Sequence, residues 1–269
     1  MKSIEEKRAE FRKLHESGCF AIPNPWDIGG AKYLQHLGSK AIATTSAGFA
    51  FSRGLPDGSV KRDDMLAHIR ALVEAADIPV NADFENGYAD DPNWCAENAR
   101  LCAETGVAGL SIEDAADRKE SPIYDVDLAV ERIHAVCEAL HGTGVLLVGR
   151  AEGFLVGREK IDQVIKRLVA YSEAGAECLY APGFKEREHI KAIVEAVAPK
   201  PVNVLIGGPG GLTMRDATEL GARRVSVGGA FARAAWGGFI RSAKELMETG
   251  TFEELKQGAS YDALQNLFR

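Results

Sequence analysis

Short runs of β-branched and apolar residues alternate with long amphipathic stretches from one end of the chain to the other. The apolar runs fall at residues 20–22, 41–45, 78–82, 107–112, 145–148, 177–180, 201–206 and 224–227, which predicts eight strands. Between them, residues 62–76, 93–105, 126–140, 159–174 and 186–198 carry apolar positions at helical spacing. Gly106, Gly175 and Gly221 each stand where a helix must end before a strand begins, a position suited to a left-handed cap. Pro79 and Pro201 open strands, where a missing N–H costs little. Strands alternating with helices favour a parallel sheet, and eight of them close it. The pattern therefore predicts an α/β fold, a single (β/α)8 TIM-type barrel. No linker or low-complexity segment divides residues 1–269, which read as one domain. Residues 250–269 form a C-terminal helical extension. Its Phe252, Leu255, Tyr261, Leu264 and Phe268 need a surface to cover, so exchange of this extension between copies, in a homodimer or homotetramer, is expected.

The length of 269 residues suits one such barrel, which takes roughly 250. Lys and Arg number 32 against 39 Asp and Glu, a net charge of −7 with no basic block, so nucleic acid is not an expected partner. No apolar run approaches the ~20 residues of a membrane helix. The first residues, Met1-Lys2-Ser3-Ile4-Glu5-Glu6-Lys7, lack the apolar core of a signal peptide, and a cytoplasmic location is expected. The five cysteines show no CxxC spacing and read as small buried hydrophobes. The six histidines fall in helical stretches or at helix ends, which argues against a histidine-ligated metal.

In this architecture the chemistry sits at the C-terminal ends of the strands. Strand three ends in Asp83-Phe84-Glu85, strand four in Glu113-Asp114 and strand five in Arg150-Ala151-Glu152. Asp83, Glu85 and Glu113 would repel one another in one barrel mouth unless a proton or a cation lay among them. Oxygen donors without His or Cys select Mg2+ or Mn2+ over zinc. Arg150 leaves an apolar strand for the same mouth and offers a fork for a carboxylate or phosphonate; a salt bridge to Glu152 or Glu113 is its competing role. The glycine-rich turns after strands seven and eight are either ordinary connectors or a phosphate cradle. Asn203 on strand seven joins the substrate-binding candidates.

Several motifs in order, from about Phe20 to Trp236, resemble the isocitrate lyase/phosphoenolpyruvate mutase superfamily. They are Pro23-Asn24-Pro25-Trp26-Asp27, Thr45-Ser46-Ala47-Gly48, Ser52-Arg53-Gly54-Leu55-Pro56-Asp57, Asp83-Phe84-Glu85-Asn86-Gly87-Tyr88, Ser111-Ile112-Glu113-Asp114 and Gly149-Arg150-Ala151-Glu152. The resemblance implies a Mg2+-dependent enzyme acting on a 2-oxo acid through an enolate, with Asp83, Glu85 and Glu113 at the metal, some of them through water. It places Ser46 and the backbone of Ala47 and Gly48 at the substrate carboxylate, and Asp57 and Arg150 around the reacting group. The lyases of this superfamily carry a Cys within a Lys-Lys-Cys-Gly-His-like run after strand four. Here residues 115–125 have neither Cys nor His. What remains resembles the oxaloacetate-decarboxylase-like or uncharacterised branch, which implies decarboxylation or carbon–carbon cleavage of an oxaloacetate-like acid. A carbon–phosphorus enzyme of the mutase or phosphonopyruvate hydrolase type, and a non-catalytic oxo-acid-binding barrel, are the alternatives. Residues 115–125, longer than a βα turn needs and charged at Asp117, Arg118, Lys119 and Glu120, read as a lid over the site, unless Pro122 and Tyr124 anchor them.

Overall fold

A computed structural model of the chain describes residues 1–116, 120–209 and 211–269. Eight parallel strands form the sheet: β1 (Phe20–Ile22), β2 (Ile42–Ala43), β3 (Val80–Asp83), β4 (Gly109–Glu113), β5 (Leu146–Arg150), β6 (Cys178–Tyr180), β7 (Val202–Leu205) and β8 (Arg224–Ser226). Their order is β1-β8-β7-β6-β5-β4-β3-β2. The last seam, between β1 and β2, is bridged where Ala43 donates its N–H to the Pro23 carbonyl at 3.0 Å. Asn24 reinforces that seam. Its amide donates to the Thr44 carbonyl, while its side-chain oxygen accepts from the backbone N–H groups of Val227 and Gly228. The barrel predicted from the strand and helix pattern is the one observed.

Helices Arg62–Ala75, Pro92–Ala103, Val126–Leu140, Ile161–Glu173 and Arg187–Val197 follow the predicted stretches and pack their apolar faces on the outside of the sheet. Gly106, Gly175 and Gly221 all adopt positive φ after their helices. A second, smaller core lies inside the barrel, where Phe20, Ile22, Ala43, Ala108, Leu146, Val148 and Cys178 meet Phe11. Phe11 arrives on an N-terminal helix, Ile4–Leu14, that the strand-and-helix pattern did not mark. That helix closes the bottom of the barrel, and Gly109 makes room for it. A Cβ on Gly109 would lie 2.6 Å from Cε1 of Phe11 and 2.8 Å from Oδ1 of Asn81. Gly109→Ala should therefore destabilise the chain by about 1–3 kcal/mol, the usual cost of overpacking. Chemical denaturation checks this, and unchanged stability would mean that the plug can retreat freely.

After β8 the chain forms a long helix, Ala230–Thr249, capped by left-handed Gly250, then a 3-10 turn, Glu253–Gln257, and a last helix, Tyr261–Phe268. The extension folds back on its own chain. Glu245 accepts from the backbone of Glu253 and Glu254, and the Phe268 ring reaches the backbone at Gly29 in helix Ile28–His36. Even so, Phe239, Met247, Phe252, Leu255 and Tyr261 stay well exposed. Among the described residues no helix is long and apolar enough to cross a membrane. The five cysteines are free.

Candidate active site

The C-terminal mouth of the barrel opens on a cavity of about 180 Å³ bordered mostly by residues with polar side chains. Ser46, Ala47, Asp57, Asp83, Arg150 and Asn203 all border it. Asp83, the last residue of β3, is its hub. Oδ2 accepts from both the backbone N–H and the hydroxyl of Ser46, at 3.0 and 2.9 Å, and Oδ1 accepts from Nη1 of Arg150 at 3.1 Å. Ser46 stands in place because Thr45 caps helix Ser46–Ser52, its hydroxyl accepting the N–H of Gly48. Gly48 itself does not border the cavity. Its bare Cα lets the helix approach the barrel, since a Cβ there would fall 2.6 Å from Cγ2 of Thr45 and 2.9 Å from Cβ of Trp26.

The other two expected metal acids stand behind Asp83 rather than on the cavity wall. Glu85 lies in a turn with left-handed backbone at both Glu85 (φ 49) and Tyr88 (φ 58), and the Tyr88 hydroxyl donates to its carboxylate at 3.1 Å. Two non-glycine residues held in that region mark a turn that the surrounding structure fixes in place. Glu113 ends β4, and its backbone N–H donates to the carbonyl of Glu85. Among the described residues no three acids, histidines or cysteines converge closely enough to cage a metal by themselves.

Arg150 is fully committed. Nη1 meets Asp83 at 3.1 Å and Glu113 at 3.0 Å, while Nε meets Glu152 at 2.5 Å. The salt bridges that competed with a carboxylate-binding role for this residue are both formed. Among the described residues this guanidinium lies beside Asp83, Glu113 and Glu152, with Asp57 and Glu85 close by, and burial followed by the neighbouring charges raises three of these acids. Burial, and then the charge of Asp83, pushes Glu85 up to about 7. Burial raises Glu113 well above the usual carboxylate range; Arg150 opposes this, and Glu152, Asp83 and Glu85 add to it. Asp57, at the rim, is raised by desolvation of its carboxyl against the cavity wall and then by Asp83.

Behind the mouth, Asp114 ties the loops after β4 and β5 together. It accepts from the backbone of Glu152 at 2.7 Å and from the Tyr171 hydroxyl at 2.6 Å, and it pairs with Arg167, which also holds Glu159. Both ends of the predicted lid are anchored as well. Ala115 bridges Ile123, Ala116 donates to the Pro122 carbonyl, and the buried Tyr124 donates to Asp90 at 2.6 Å. Asp117, Arg118 and Lys119, whose charges suggested a lid, lie outside the described residues. So does Gly210 of the glycine-rich turn after β7, in which Gly207 accepts from Arg233.

The family model for phosphoenolpyruvate phosphomutase matches residues 11–247. The chain belongs to that family, within the isocitrate lyase/phosphoenolpyruvate mutase superfamily. A solved structure of a candidate lyase/mutase from Burkholderia cenocepacia is 47% identical and superposes with a TM-score of 0.95 over 98% of this chain and 97% of its own. The uncharacterized protein Rv1998c of Mycobacterium tuberculosis is 30% identical over 95% of this chain and 94% of its own. The oxaloacetate decarboxylase of Pseudomonas aeruginosa is 28% identical over 84% and 79%.

Sequence reasoning missed the polar interior of the barrel. Asn24, Asn81, Tyr180, Arg224 and Ser226 all line the cavity. The available signal was a polar or charged residue two positions from another candidate in the same strand, as with Asn81 and Asp83, which puts both on one face. The raised acids also fix the sign of a pH effect. A carboxyl that titrates near 7 when folded, and near 4.5 otherwise, contributes stability that is complete below about 4.5 and is lost as pH rises through 7. In cation-free buffer the melting temperature should fall between pH 5 and pH 8, and Glu85→Gln should flatten that fall. An identical slope in the variant would contradict the assignment.

Proposed function

We propose that the chain is a divalent-cation-dependent lyase that acts on a small 2-oxo acid, by decarboxylation or carbon–carbon cleavage. The observation that carries this reading is the excess of acids over Arg150, among the described residues, at the mouth of a small cavity. A divalent cation balances that excess, and an all-oxygen donor set suits Mg2+ or Mn2+. Asp83 would hold it from the cavity side, with Glu85 and Glu113 acting from behind through water. Once bound, the cation supplies a Lewis-acidic charge beside the substrate carbonyl. The protein's own residues do the rest. Ser46 fixes the direction of the Asp83 carboxylate, and Arg150 keeps Asp83, Glu113 and Glu152 from repelling one another. Asp57, whose proton affinity desolvation raises, stands at the rim where it would pass a proton to the carbon left by bond breaking.

The likeness to an oxaloacetate decarboxylase, and the absence of the lyase cysteine from residues 115–125, support oxaloacetate-like substrates. The phosphomutase family model supports a second reading, in which a carbon–phosphorus bond is broken or moved. One panel separates them. Oxaloacetate, longer 2-oxo and 2-hydroxy acids, and phosphonopyruvate are incubated with the chain, with Mg2+ and with EDTA, and the formation of pyruvate, and of phosphoenolpyruvate from phosphonopyruvate, is followed. The expected result is Mg2+-dependent pyruvate release from a carboxylic substrate. Either product from phosphonopyruvate alone would favour the second reading, and release undiminished by EDTA would sink the cation requirement. The apolar surface left exposed on helix Ala230–Thr249 and the extension supports self-association, which sedimentation measures directly.

A further inference from the structure

Arg224 opens β8 and is only 3% exposed, yet it borders the same cavity as Asp83 and Arg150. Its Nε donates to Oδ1 of Asn203 at 2.9 Å and its Nη1 to Oδ1 of Asn81 at 3.2 Å. Nη1 also meets Nε2 of His15 at 3.5 Å. The Nδ1 of that ring lies 2.8 Å from the Phe11 carbonyl and must donate to it, so Nε2 turns a lone pair toward the guanidinium. Burial, and then the charge of Arg224, pushes His15 down to about 3, so the ring is neutral. All three partners are therefore uncharged, and among the described residues no carboxylate pairs with Arg224. Two other interior arginines contrast with it, while Arg132, equally buried, spends its guanidinium on the carbonyls of Asn86, Ala89 and Asp90 and does not border the cavity. Arg150 has three acids, and Arg167 has Asp114 and Glu159. A buried cation without a counter-charge keeps an uncompensated desolvation cost, which an anion would relieve.

The barrel register connects the two ends of the cavity. Arg150 pairs with Tyr180, Tyr180 with Asn203, and Asn203 with Arg224, so these inward side chains form one file across β5 to β8. Asn203 is held in turn, its amide donating to Ser226 at 2.9 Å, which aims its oxygen at Arg224. Arg150 is balanced by acids, whereas Arg224 is, among the described residues that line the cavity, the cation without an acid beside it.

We propose that Arg224, oriented by Asn203 and Asn81, is an anion subsite on the inner wall of the cavity, and that it takes the distal carboxylate of a small dicarboxylate. The placing of the ligand's other end at Asp83 rests on the 2-oxo acid reading; the subsite itself does not. Succinate and its monoamide, succinamate, share a carbon chain and differ in one charged end. Neither carries a 2-oxo group, so their binding is read by calorimetry independently of any turnover, in Mg2+ and again in EDTA. Wild type should bind succinate about tenfold or more tighter than succinamate, the weight of a charge-assisted contact. R224Q should bind the two alike while melting as a folded protein. If R224Q does not fold, R224K takes its place, with the preference expected to fall severalfold because a point charge replaces the fork. Equal affinities in wild type, including no binding of either, would overturn the subsite, as would a preference that the Arg224 variant keeps in full. Loss of the preference in a protein that turns over no 2-oxo acid would leave the subsite standing and remove the proposed reaction instead.

Discussion

Asp83→Ala should cost about a thousandfold in turnover of any 2-oxo acid that the chain accepts, the equivalent of about 4 kcal/mol of charge stabilisation at the reacting centre. Asp83 is the only one of the three expected metal acids that borders the cavity, and Ser46 and Arg150 both aim at its two oxygens. Its removal leaves Ser46 without its acceptor and shifts Arg150 toward Glu113 and Glu152. Circular dichroism should still report a folded barrel, because the core does not depend on this side chain. Turnover within tenfold of wild type would mean that the mouth does not work through Asp83.

The second large effect concerns stability. Arg150→Met removes the single guanidinium that Glu113, Glu152 and Asp83 share, and breaking a buried ion pair costs about 3–5 kcal/mol. The cost should depend on pH in a direction set by the acids. The loss should be larger at pH 8 than at pH 5, because burial raises the proton affinity of Glu113 and a lower pH favours its protonated form, which needs Arg150 less. Glu113→Gln in the Arg150→Met background should restore part of the stability at pH 8. Denaturation of wild type, the Arg150→Met variant and the double variant at the two pH values checks this, and a cost independent of pH would show that the acids are not held together by Arg150.

The barrel was legible because each strand is a short apolar run between glycine, proline and amphipathic signals, and eight such runs leave little choice of architecture. Asp83, Glu85, Glu113 and Arg150 were legible because they follow the strand ends, where the fold places its chemistry. What each of them faces was not. Glu85 turns toward Tyr88 only because residues 85 and 88 take left-handed backbone, and nothing in Glu85-Asn86-Gly87-Tyr88 beyond the glycine announces that. The barrel interior was harder still. Strands buried on both faces read as continuous apolar runs, so whether Asn203 and Arg224 point inward depends on register, which the pattern alone does not set. The plug made by Phe11 was hidden for a similar reason: helix Ile4–Leu14 is polar over most of its surface and buries only Lys7 and Phe11.

The acid excess at the mouth should hold a divalent cation through Asp83. Mn2+ titrated into EDTA-stripped protein, with free Mn2+ read by electron paramagnetic resonance, tests it without any assumption about substrate. Wild type should remove Mn2+ from solution at a single saturable site, in competition with Mg2+, and Asp83→Ala should bind it at least about tenfold more weakly. Wild type that leaves Mn2+ free, or an Asp83→Ala variant that binds it equally well, would contradict the account.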